Sequence, residues 1–471
     1  MICCWRRADM LLRFRVENHA SLRDEQELTL VSSECHPKRA EAEVPGSSEL
    51  VTVPVAAIYG PNASGKSNVI DAITWMRWAV LSSYRRWDPT GGVPRRPFQF
   101  RRNPEDHPTD FQIDFAVDGV RHAFGFSVDD TRVRNEWMVY YPEGRARRLY
   151  DRDDKDEVTF GRWLTGRRKT VADSLRSNSL FLSVAAAQGH EQLSRIFRWF
   201  QFGLVVADDS DYSGRLEHTL HLLLEDDVHR PESRAVAMLL SYADLGATGL
   251  EAKEFDETDD EELRRVRQAL RDAVGSRLVV EPGRFKDVRV RHRTTDGEFT
   301  LPLSHESSGT RTWIGLLGVV VSALMRGAVL CVDELDARLH PQLVDALIGM
   351  FASAEVNTRG AQLVFSSHDM TLLGRNAQTE LSRDQIWFTE KDPGTLATNL
   401  FPMTDFPVRD TDNFEHRYLL GRFGAVPYLD DDFLPRLVEL LEREDVNEGE
   451  EAAPADGEVE TAGATSLPHL L

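Results

Sequence analysis

The segment that most constrains this chain is GPNASGKSN, residues 60–68, which stands between an apolar run and an amphipathic run. Its glycines, lysine and serine follow the spacing GxxxxGK[ST]. Residues 53–59 predict a short buried strand, and the apolar residues after Asn68 recur at helical spacing. A glycine-rich turn between a strand and a helix start points its backbone N–H groups at an anion, and the helix dipole adds attraction. The segment therefore predicts a phosphate-binding loop.

Composition limits the class of protein. The chain has 471 residues, of which 41% are hydrophobic, enough for several structural units with buried cores. Its net charge of -21 argues against a protein that coats nucleic acid or an anionic membrane with its whole surface, although it is compatible with a local basic groove. The four cysteines, Cys3, Cys4, Cys35 and Cys331, lack paired zinc spacing and indicate a reducing compartment.

One apolar run, residues 314–332, has the composition of a membrane helix. Arg326 and Gly327 interrupt this run. The break leaves about a dozen apolar residues, whereas a membrane span needs about 20. A buried helix followed by a buried strand is therefore the preferred interpretation. The N-terminus lacks the apolar stretch of a secretory signal, and Met10 is a second candidate start. We expect a cytoplasmic protein with no membrane partner.

The order of elements predicts an α/β nucleotide-binding core with an inserted, mainly helical lobe. Strands are predicted at residues 11–16, 26–31, 278–293 and 298–303, an antiparallel meander at 111–141, and helices at 180–224, 229–244 and 251–271. The predicted units are an N-terminal extension (1–9), the first half of the core (10–142), the lobe (143–277), the second half of the core (278–400), a C-terminal subdomain (401–441) and an acidic disordered tail (442–471).

A second candidate segment is GAVLCVDELDARLHP, residues 327–341, in which a short apolar strand ends in two carboxylates. An acid at the end of a buried strand beside a phosphate-binding loop can hold Mg²⁺, and Asp333 has this position. The next acid, Glu334, can orient and deprotonate an attacking water. An ordinary surface-facing strand end is the alternative interpretation of the same residues.

Two further segments add polar groups. Residues 363–368, LVFSSH, predict a buried strand that ends in His368, which can hydrogen-bond a γ-phosphate and the water near it. Residues 306–310, ESSGT, precede a helix and offer N–H and hydroxyl donors to an anion. The chain already has one phosphate-binding loop, so we expect ESSGT to serve the nucleotide of a second, head-to-tail protomer.

Together these segments resemble an ABC-type ATPase head of the kind found in SMC and double-strand-break repair proteins. GPNASGKSN resembles Walker A, VLCVDE resembles Walker B, LDARLHP the D-loop and SSHD the switch-histidine motif, and ESSGT resembles the signature motif without its fuller LSGG(Q/E) form. The chain is also similar, over about residues 10–430, to prokaryotic "AAA family" ATP-binding proteins with an ABC-type core, several of which belong to phage-defence operons.

The resemblance implies a fold, a mixed sheet core with an antiparallel β-meander, and a role for each site residue. ATP and Mg²⁺ are the implied cofactors, with Ser67 and Asp333 as metal ligands, and Lys66, Glu334 and His368 as catalytic residues. The nucleotide-binding residues are Gly60, Pro61, Asn62, Ala63, Ser64, Gly65, Lys66, Ser67 and Asn68, with Ser308 and Gly309 reaching across from a partner in a homodimer or higher oligomer. Gln99 is the candidate Q-loop residue, with an exposed, non-functional glutamine as the alternative.

The sequence also departs from the SMC pattern. Only 243 residues (309 - 66) separate Lys66 from Gly309, without heptads, so the insertion is a compact lobe and not a coiled coil. Three hypotheses follow for the protein's role. It is an ATP-dependent switch linked to DNA or to anti-phage defence, a slow ATPase that restrains a separate operon-encoded effector protein, or, less favoured, an ATPase-linked nuclease that uses residues 430–432.

Overall fold

Two β-sheets and the helix that follows the phosphate-binding loop determine where the candidate site lies. The computed structural model describes residues 9–36, 39–47, 49–207, 212–224, 230–243, 246–255, 285–374, 377–409, 412–426, 434–438 and 441. Residues 1–426 form one compact unit and residues 427–471 a second. The predicted acidic tail, Cys3, Cys4 and residues 430–432 lie outside the described residues.

The strands of the first unit form two large and two small sheets. In chain order they are β1 (Met10–Glu17), β2 (Gln26–Thr29), β3 (Val31–Ser32), β4 (Ala42–Glu43), β5 (Val51–Thr52), β6 (Val55–Tyr59), β7 (Thr109–Val117), β8 (Val120–Val128), β9 (Val133–Tyr141), β10 (Arg147–Arg152), β11 (Val158–Phe160), β12 (Leu204–Ala207), β13 (Ala247–Phe255), β14 (Phe285–Thr294), β15 (Gly297–Pro302), β16 (Val329–Val332), β17 (Gln362–Ser367), β18 (Ile386–Lys391) and β19 (Thr398–Pro402).

The two large sheets differ in direction. The seven-stranded sheet has the order β11-β10-β9-β8-β7-β1-β2 and is antiparallel throughout. The six-stranded sheet has the order β12-β16-β17-β6-β18-β19, and all of its neighbours are parallel except the antiparallel pair β18 and β19. The predicted mixed sheet core with an antiparallel meander is therefore present.

The described helices are Lys66–Ser82, Arg168–Asp173, Phe181–Ala187, Glu191–Arg198, Tyr212–Leu224, Pro231–Tyr242, Ser308–Arg326, Pro341–Ala352 and Phe414–Leu419. A π-helical turn, Trp199–Gly203, follows Glu191–Arg198 directly. The helix Lys66–Ser82 packs into the same core as the antiparallel sheet, where the Trp75 and Phe111 rings stack with centroids 4.8 Å apart. The helices Ser308–Arg326 and Pro341–Ala352 belong to the other core.

Strand β6 is buried on both faces, as a central parallel strand is expected to be. Ala56 and Ile58 contribute to the core that contains the antiparallel sheet. Val55, Ala57 and Tyr59 contribute to the core that contains the helix Ser308–Arg326. Because successive side chains of a strand point to opposite faces, this one five-residue strand joins both cores. The loop that follows β6 is thus held by the most buried part of the fold.

The interpretation of residues 314–332 as a buried helix and strand is confirmed. Among the described residues, the helix Ser308–Arg326 is long and apolar enough to cross a membrane, but 61% of its most apolar stretch is buried. Trp313 is fully buried, and the indole N–H donates to Leu239 O at 3.1 Å. Strand β16 follows and is buried at every position. The apolar character of this helix therefore reflects its position in the core.

Two of the predicted helical segments contain strands. Within residues 180–224, Leu204–Ala207 is β12, which pairs in parallel with β16 and so completes the edge of the six-stranded sheet. Residues 251–255 of the predicted charged helix belong to β13, which pairs with β14, and residues 256–271 lie outside the described residues. Both segments are strands because they pair with strands that are distant in sequence. The local pattern of apolar residues does not predict such pairing.

The predicted lobe 143–277 also begins differently from its helical description. Strands β10 and β11 extend the antiparallel sheet beyond β9. Arg152, at the end of β10, is fully buried. Its Nη1 donates to Ser179 O at 2.6 Å and lies 3.8 Å from Glu136 Oε2. The end of β10 is therefore part of the core, whereas Arg145 just before it and Arg148 near its start are exposed.

Glu136 organises this buried polar cluster. Its side chain is fully buried and accepts hydrogen bonds from the Phe181 and Leu182 N–H groups, at 2.5 and 3.0 Å, and from the Tyr150 hydroxyl at 2.8 Å. The carboxylate thereby caps the first turn of the helix Phe181–Ala187 and faces the Arg152 guanidinium. A buried charge that has lost its partner is strongly destabilising, so the cluster depends on this carboxylate.

We expect Glu136→Gln to lower the free energy of unfolding by about 3 kcal/mol, because an amide cannot accept from all three donors. The change also leaves Asp156, which pairs with Arg152 at 2.5 Å, as the single carboxylate among the described residues that pairs with this buried guanidinium. Urea unfolding followed by circular dichroism measures the change. The matched control is Glu27→Gln on β2, where a half-exposed carboxylate pairs with Arg15 at 2.5 Å. Exposed pairs contribute about 0–1 kcal/mol. Equal losses in the two variants would contradict the prediction.

Candidate nucleotide-binding site

The site lies where three neighbouring parallel strands end. Strand β17 stands between β6 and β16, and Ser367 of β17 pairs with Tyr59 of β6. Parallel strands present their carboxyl ends at the same edge of a sheet. The phosphate-binding loop after β6, the two acids after β16 and His368 after β17 are therefore brought together, and His368 lies in the middle.

The loop between β6 and the helix Lys66–Ser82 requires glycine at two positions. Gly60 packs so closely that a Cβ atom there would lie 2.5 Å from Thr389 O. Gly65 has φ of 106°, and a Cβ atom would lie 2.1 Å from Thr398 Oγ1. Both positions therefore favour glycine, because neither has room for a Cβ atom. The positive φ of Gly65 is also unfavourable for residues that have a side chain. The loop is thus fixed tightly against β18 and β19.

A chain of hydroxyl contacts holds the loop from outside. Ser64 Oγ is 2.6 Å from Thr389 Oγ1, and Thr398 Oγ1 donates to Ser64 O at 2.7 Å. Ser21 Oγ is 2.7 Å from Thr398 Oγ1 and accepts from Asn68 Nδ2 at 2.6 Å. Ser21, Thr389 and Thr398 carry no motif in the sequence. Only their proximity to the loop in the fold identifies them as positioning residues.

Lys66 lies inside the loop and is 4% exposed. Its Nζ donates to Gly60 O at 2.8 Å and to Pro61 O at 3.2 Å, and it lies 3.3 Å from His368 Nδ1. Burial lowers the pKa of Lys66 from 10.5 to about 8, and the nearby carboxylates, Glu334 first, oppose this shift. An anionic ligand at this site would raise the pKa of Lys66 again and favour its charged form.

Ser366 joins the two acids of the 333–334 pair. Its hydroxyl donates to Asp333 Oδ1 at 2.5 Å and accepts from the Glu334 N–H at 2.8 Å. Glu334 has φ of 49°, a left-handed conformation that directs the chain away from the strand, and its side chain is 51% exposed. One buried hydroxyl on β17 thus holds the Asp333 carboxylate and the backbone of Glu334. Ser366 is the first residue of the SSHD segment, but the sequence did not predict its two hydrogen bonds.

His368 is placed between the lysine and the glutamate. Its Nε2 lies 3.8 Å from Glu334 Oε1, while its Nδ1 faces Lys66 Nζ. Its backbone N–H donates to the Asp336 carboxylate at 3.2 Å, which fixes the start of the loop that follows β17. Lys66, Glu334 and His368, which three separate segments supply, therefore converge on one edge of the sheet.

The remaining loop residues are available at the surface. Asn62, Ala63 and Ser67 are exposed and Pro61 is half-buried. Gln99 is exposed, and its amide donates to Pro97 O at 2.9 Å. No hydrogen bond between described residues joins Gln99 to the loop, so its assignment as the Q-loop residue stays a prediction.

Ser308 and Gly309 lie at the start of the helix Ser308–Arg326. Ser307 caps this helix, since its hydroxyl accepts from the Thr310 N–H at 3.0 Å. Ser308 is exposed, and a Cβ atom on Gly309 would lie 2.7 Å from Arg338 O of the LDARLHP segment. ESSGT and LDARLHP are therefore neighbours.

The donor set fits a nucleotide with its magnesium ion. The loop supplies backbone N–H groups and the Lys66 cation for phosphate oxygens, and the exposed Ser67 hydroxyl and the Asp333 carboxylate are oxygen ligands of the type that Mg²⁺ prefers. Among the described residues, no group of three or more His, Cys, Asp or Glu side chains could hold a metal by itself. A magnesium ion here would accordingly take further oxygens from phosphates and water.

Comparisons with known proteins agree with this chemistry. The family described as "AAA domain, putative AbiEii toxin, Type IV TA system" matches residues 55–374. No curated protein matches the chain. The described topology, with the loop, acids and histidine at one sheet edge, and the family match together confirm the predicted P-loop ATPase fold.

Three solved structures are similar to the chain. They are the SMC head domain from Thermotoga maritima (13% identity, TM-score 0.36, 83% of this chain and 98% of that chain), an SmcHead bound to the C-winged helix domain of ScpA (12%, 0.40, 83% and 97%) and an Smc head domain with an extended coiled coil bound to the C-terminal domain of ScpA derived from Pyrococcus furiosus (12%, 0.35, 84% and 96%). TM-scores this low carry no argument, so the fold assignment rests on the sheets and the family match.

We expect binding of a nucleoside triphosphate at pH 8 to be accompanied by uptake of about half a proton per site, because phosphate charges raise the lowered pKa of Lys66. At pH 6 Lys66 is already protonated and uptake through it vanishes, whereas above pH 8 the affinity decreases. Titration calorimetry in buffers of different ionisation enthalpy measures the uptake. Lys66→Arg is the matched control, since arginine stays charged. Equal uptake by both proteins would contradict the assignment.

Proposed function

The chain belongs to the AAA domain family that matches residues 55–374, and from this premise we propose that it is an ATPase head that dimerises on ATP and acts as a switch. The observation that carries the proposal is the convergence of three side chains. Lys66 Nζ lies 3.3 Å from His368 Nδ1, and His368 Nε2 lies 3.8 Å from Glu334 Oε1. Phosphoryl transfer to water requires a cation that binds the phosphates, a base that accepts a proton from the water, and a side chain that positions the water. Lys66, Glu334 and His368 are of these types.

In the proposed reaction each residue has one role. Lys66 and the loop N–H groups bind the β- and γ-phosphates. Glu334 accepts a proton from the attacking water, and His368 positions that water and contacts the γ-phosphate. Mg²⁺, held by Ser67 and Asp333, would neutralise charge on the phosphates. Positioning and charge stabilisation account for most of the acceleration, because the transferred group itself needs little covalent help.

The proposed dimer is head to tail. Ser308 is exposed, and Gly309 lies beside Arg338 of the LDARLHP segment, so the two segments form one continuous surface. In a head-to-tail dimer this surface would face the ATP held by the partner's loop, and each nucleotide would have donors from both protomers. ATP would then stabilise the closed dimer, and hydrolysis would release it, which makes bound nucleotide a population switch.

We place this switch in anti-phage or DNA-linked defence in the cytoplasm. The family description, which names a putative toxin of a toxin–antitoxin system, supports the defence setting. Three basic segments of the sequence, 145–152, 162–169 and 284–293, suggest DNA binding. Two of them support it less well, because Arg152 is buried and Arg289, Arg291 and Arg293 each pair with a carboxylate. Stimulation of ATP hydrolysis by duplex DNA at low salt tests this part of the proposal.

A second candidate role is a slow ATPase that restrains a separate effector protein. The exposed apolar residues at the end of the helix Phe414–Leu419 favour it, since Leu419 is 65% and Leu420 is 59% exposed. Purification of the tagged protein together with the products of neighbouring genes tests it, and recovery of no partner would count against it. Nuclease activity stays the less favoured alternative; residues 430–432, which it would use, lie outside the described residues.

We expect Glu334→Gln to reduce the ATP hydrolysis rate by at least about 100-fold, because the amide cannot accept the proton, and to trap an ATP-dependent dimer. Phosphate release and light scattering with and without ATP measure the two effects. Glu355→Gln, which changes an exposed glutamate on another loop, is the control and leaves both unchanged. A Glu334→Gln protein that turns over normally, or that stays monomeric with ATP, would contradict the base assignment or the dimer, respectively.

The adjacent serines of β17 offer a matched pair. Ser366→Ala removes the hydroxyl that orients Asp333 and Glu334, and we expect it to lower kcat about 10–100-fold with little change in ATP affinity. Ser367→Ala removes only an acceptor for the Asp369 N–H, and we expect kcat to fall by less than about threefold. Equal effects of the two substitutions on kcat would show that Ser366 has no special positioning role.

A further inference from the structure

A cavity of about 470 Å³ lies at the C-terminal end of the helix that begins at Lys66. Its walls are the last turns of Lys66–Ser82 with the residues that follow them, the end of the helix Phe181–Ala187, and the helix Glu191–Arg198 with the π-helical turn after it. Arg77 is 11 residues from Lys66, which along a helix is about 16 Å. The cavity is therefore separate from the phosphate-binding loop, although one helix connects the two.

Arginine dominates the charge of this cavity. Arg77, Arg85, Arg86 and Arg198 line it, and no aspartate or glutamate does. Arg77 donates to Phe200 O and Gln201 O, at 3.0 and 3.2 Å, and Arg198 to Ser194 O at 3.3 Å. None of the four forms an ion pair with a described carboxylate, whereas Arg195, on the same short helix, pairs with Glu191 at 3.4 Å. Four uncompensated guanidinium groups in a chain of net charge -21 attract an anion.

The cavity also has aromatic and hydroxyl groups. Trp78 and Phe197 line it and are half-buried, so each keeps part of its ring accessible. Ser194 is among the lining residues, and its Oγ is a buried oxygen for which no hydrogen-bond partner is found among the described residues. An unpaired buried hydroxyl has a free-energy cost unless a ligand or water satisfies it. Guanidinium groups bind phosphate in a bidentate manner, and aromatic rings stack on bases.

We propose that this cavity binds a nucleoside phosphate, either free or as the terminal nucleotide of a single strand. Its volume lies within the range of about 300–1,000 Å³ that is common for small-ligand sites. Arg85, Arg86 and Arg198 bind the phosphate, and Trp78 and Phe197 contact the base. A free nucleotide and a strand end both present one base and one phosphate. This pair of groups accounts for both the cationic and the aromatic residues of the cavity.

The position of the cavity connects this ligand to the ATP site. The helix Lys66–Ser82 runs from Lys66 to the cavity. The turn Trp199–Gly203, whose carbonyls bond Arg77, leads into β12, and β12 pairs with β16, the strand before Asp333. π-helical turns occur often at functional positions. A ligand in the cavity thus touches both elements that lead to the phosphate-binding loop and to the acids.

The experiment uses the full chain with Lys66→Ala, so that the ATP site does not contribute to binding. The probe is a fluorescein-labelled single-stranded pentanucleotide with a 5′-phosphate, and fluorescence anisotropy gives its Kd. We expect removal of the 5′-phosphate, or the further change Arg198→Ala, to weaken binding about tenfold, the loss typical of one charge-assisted contact. Arg195→Ala is the matched control and leaves Kd unchanged. Thermal unfolding of each variant confirms that it is folded.

Competition identifies the source of the ligand. If AMP displaces the probe at concentrations near the Kd of the strand, the natural ligand is a free nucleotide. If AMP displaces the probe only weakly, the ligand is the end of a strand. Either result supports the proposal. Absence of binding, equal effects of Arg198→Ala and Arg195→Ala, or displacement of the probe by inorganic phosphate at concentrations near the Kd of the strand would overturn it. Because the ATP site is inactivated here, these outcomes are independent of whether the chain hydrolyses ATP.

Discussion

The position of β17 between β6 and β16 is the constraint on which the candidate site depends. Parallel pairing on both sides aligns the ends of all three strands, and the register sets Ser367 beside Tyr59. Because β17 is buried at every position, its end cannot shift without disturbing both cores. His368 therefore reaches Lys66 on one side and Glu334 on the other. The chemistry of the site follows from strand order, since each of its segments alone is a short polar loop.

The sequence was sufficient to predict a site residue where one short segment contains both a strand and the polar residues that follow it. The loop 60–68, the acids after β16 and the histidine after β17 are each a strand pattern followed directly by polar residues, so periodicity and motif agree. Strand β12 was missed because its four residues stand between helices and become a strand only by pairing with β16, more than 100 residues later. The role of Ser366 was missed, although the residue belongs to the SSHD segment, because no local pattern predicts its bonds to Asp333 and Glu334.

The contacts behind the phosphate-binding loop illustrate the same limit. Ser21, Thr389 and Thr398 come from three distant segments, and none belongs to a motif. Their effect is nonetheless local, since they fix Ser64 and Asn68 at either end of the tight part of the loop. Hydroxyls serve here because each can donate and accept, so a short chain of them satisfies the loop carbonyls without burying a charge.

These hydroxyls also offer a physical route by which the proposed switch reaches beyond its own sheet. Ser21 lies in the turn between β1 and β2 of the antiparallel sheet, and it contacts Asn68 at the start of the phosphate-binding helix. The Thr398 N–H donates to Ser21 O at 2.8 Å, so this turn is bonded to β19 as well. A change in the loop when the γ-phosphate leaves would alter contacts of the antiparallel sheet directly. Because packed cores favour discrete arrangements over gradual deformation, such a contact can bias one arrangement of the sheets against another.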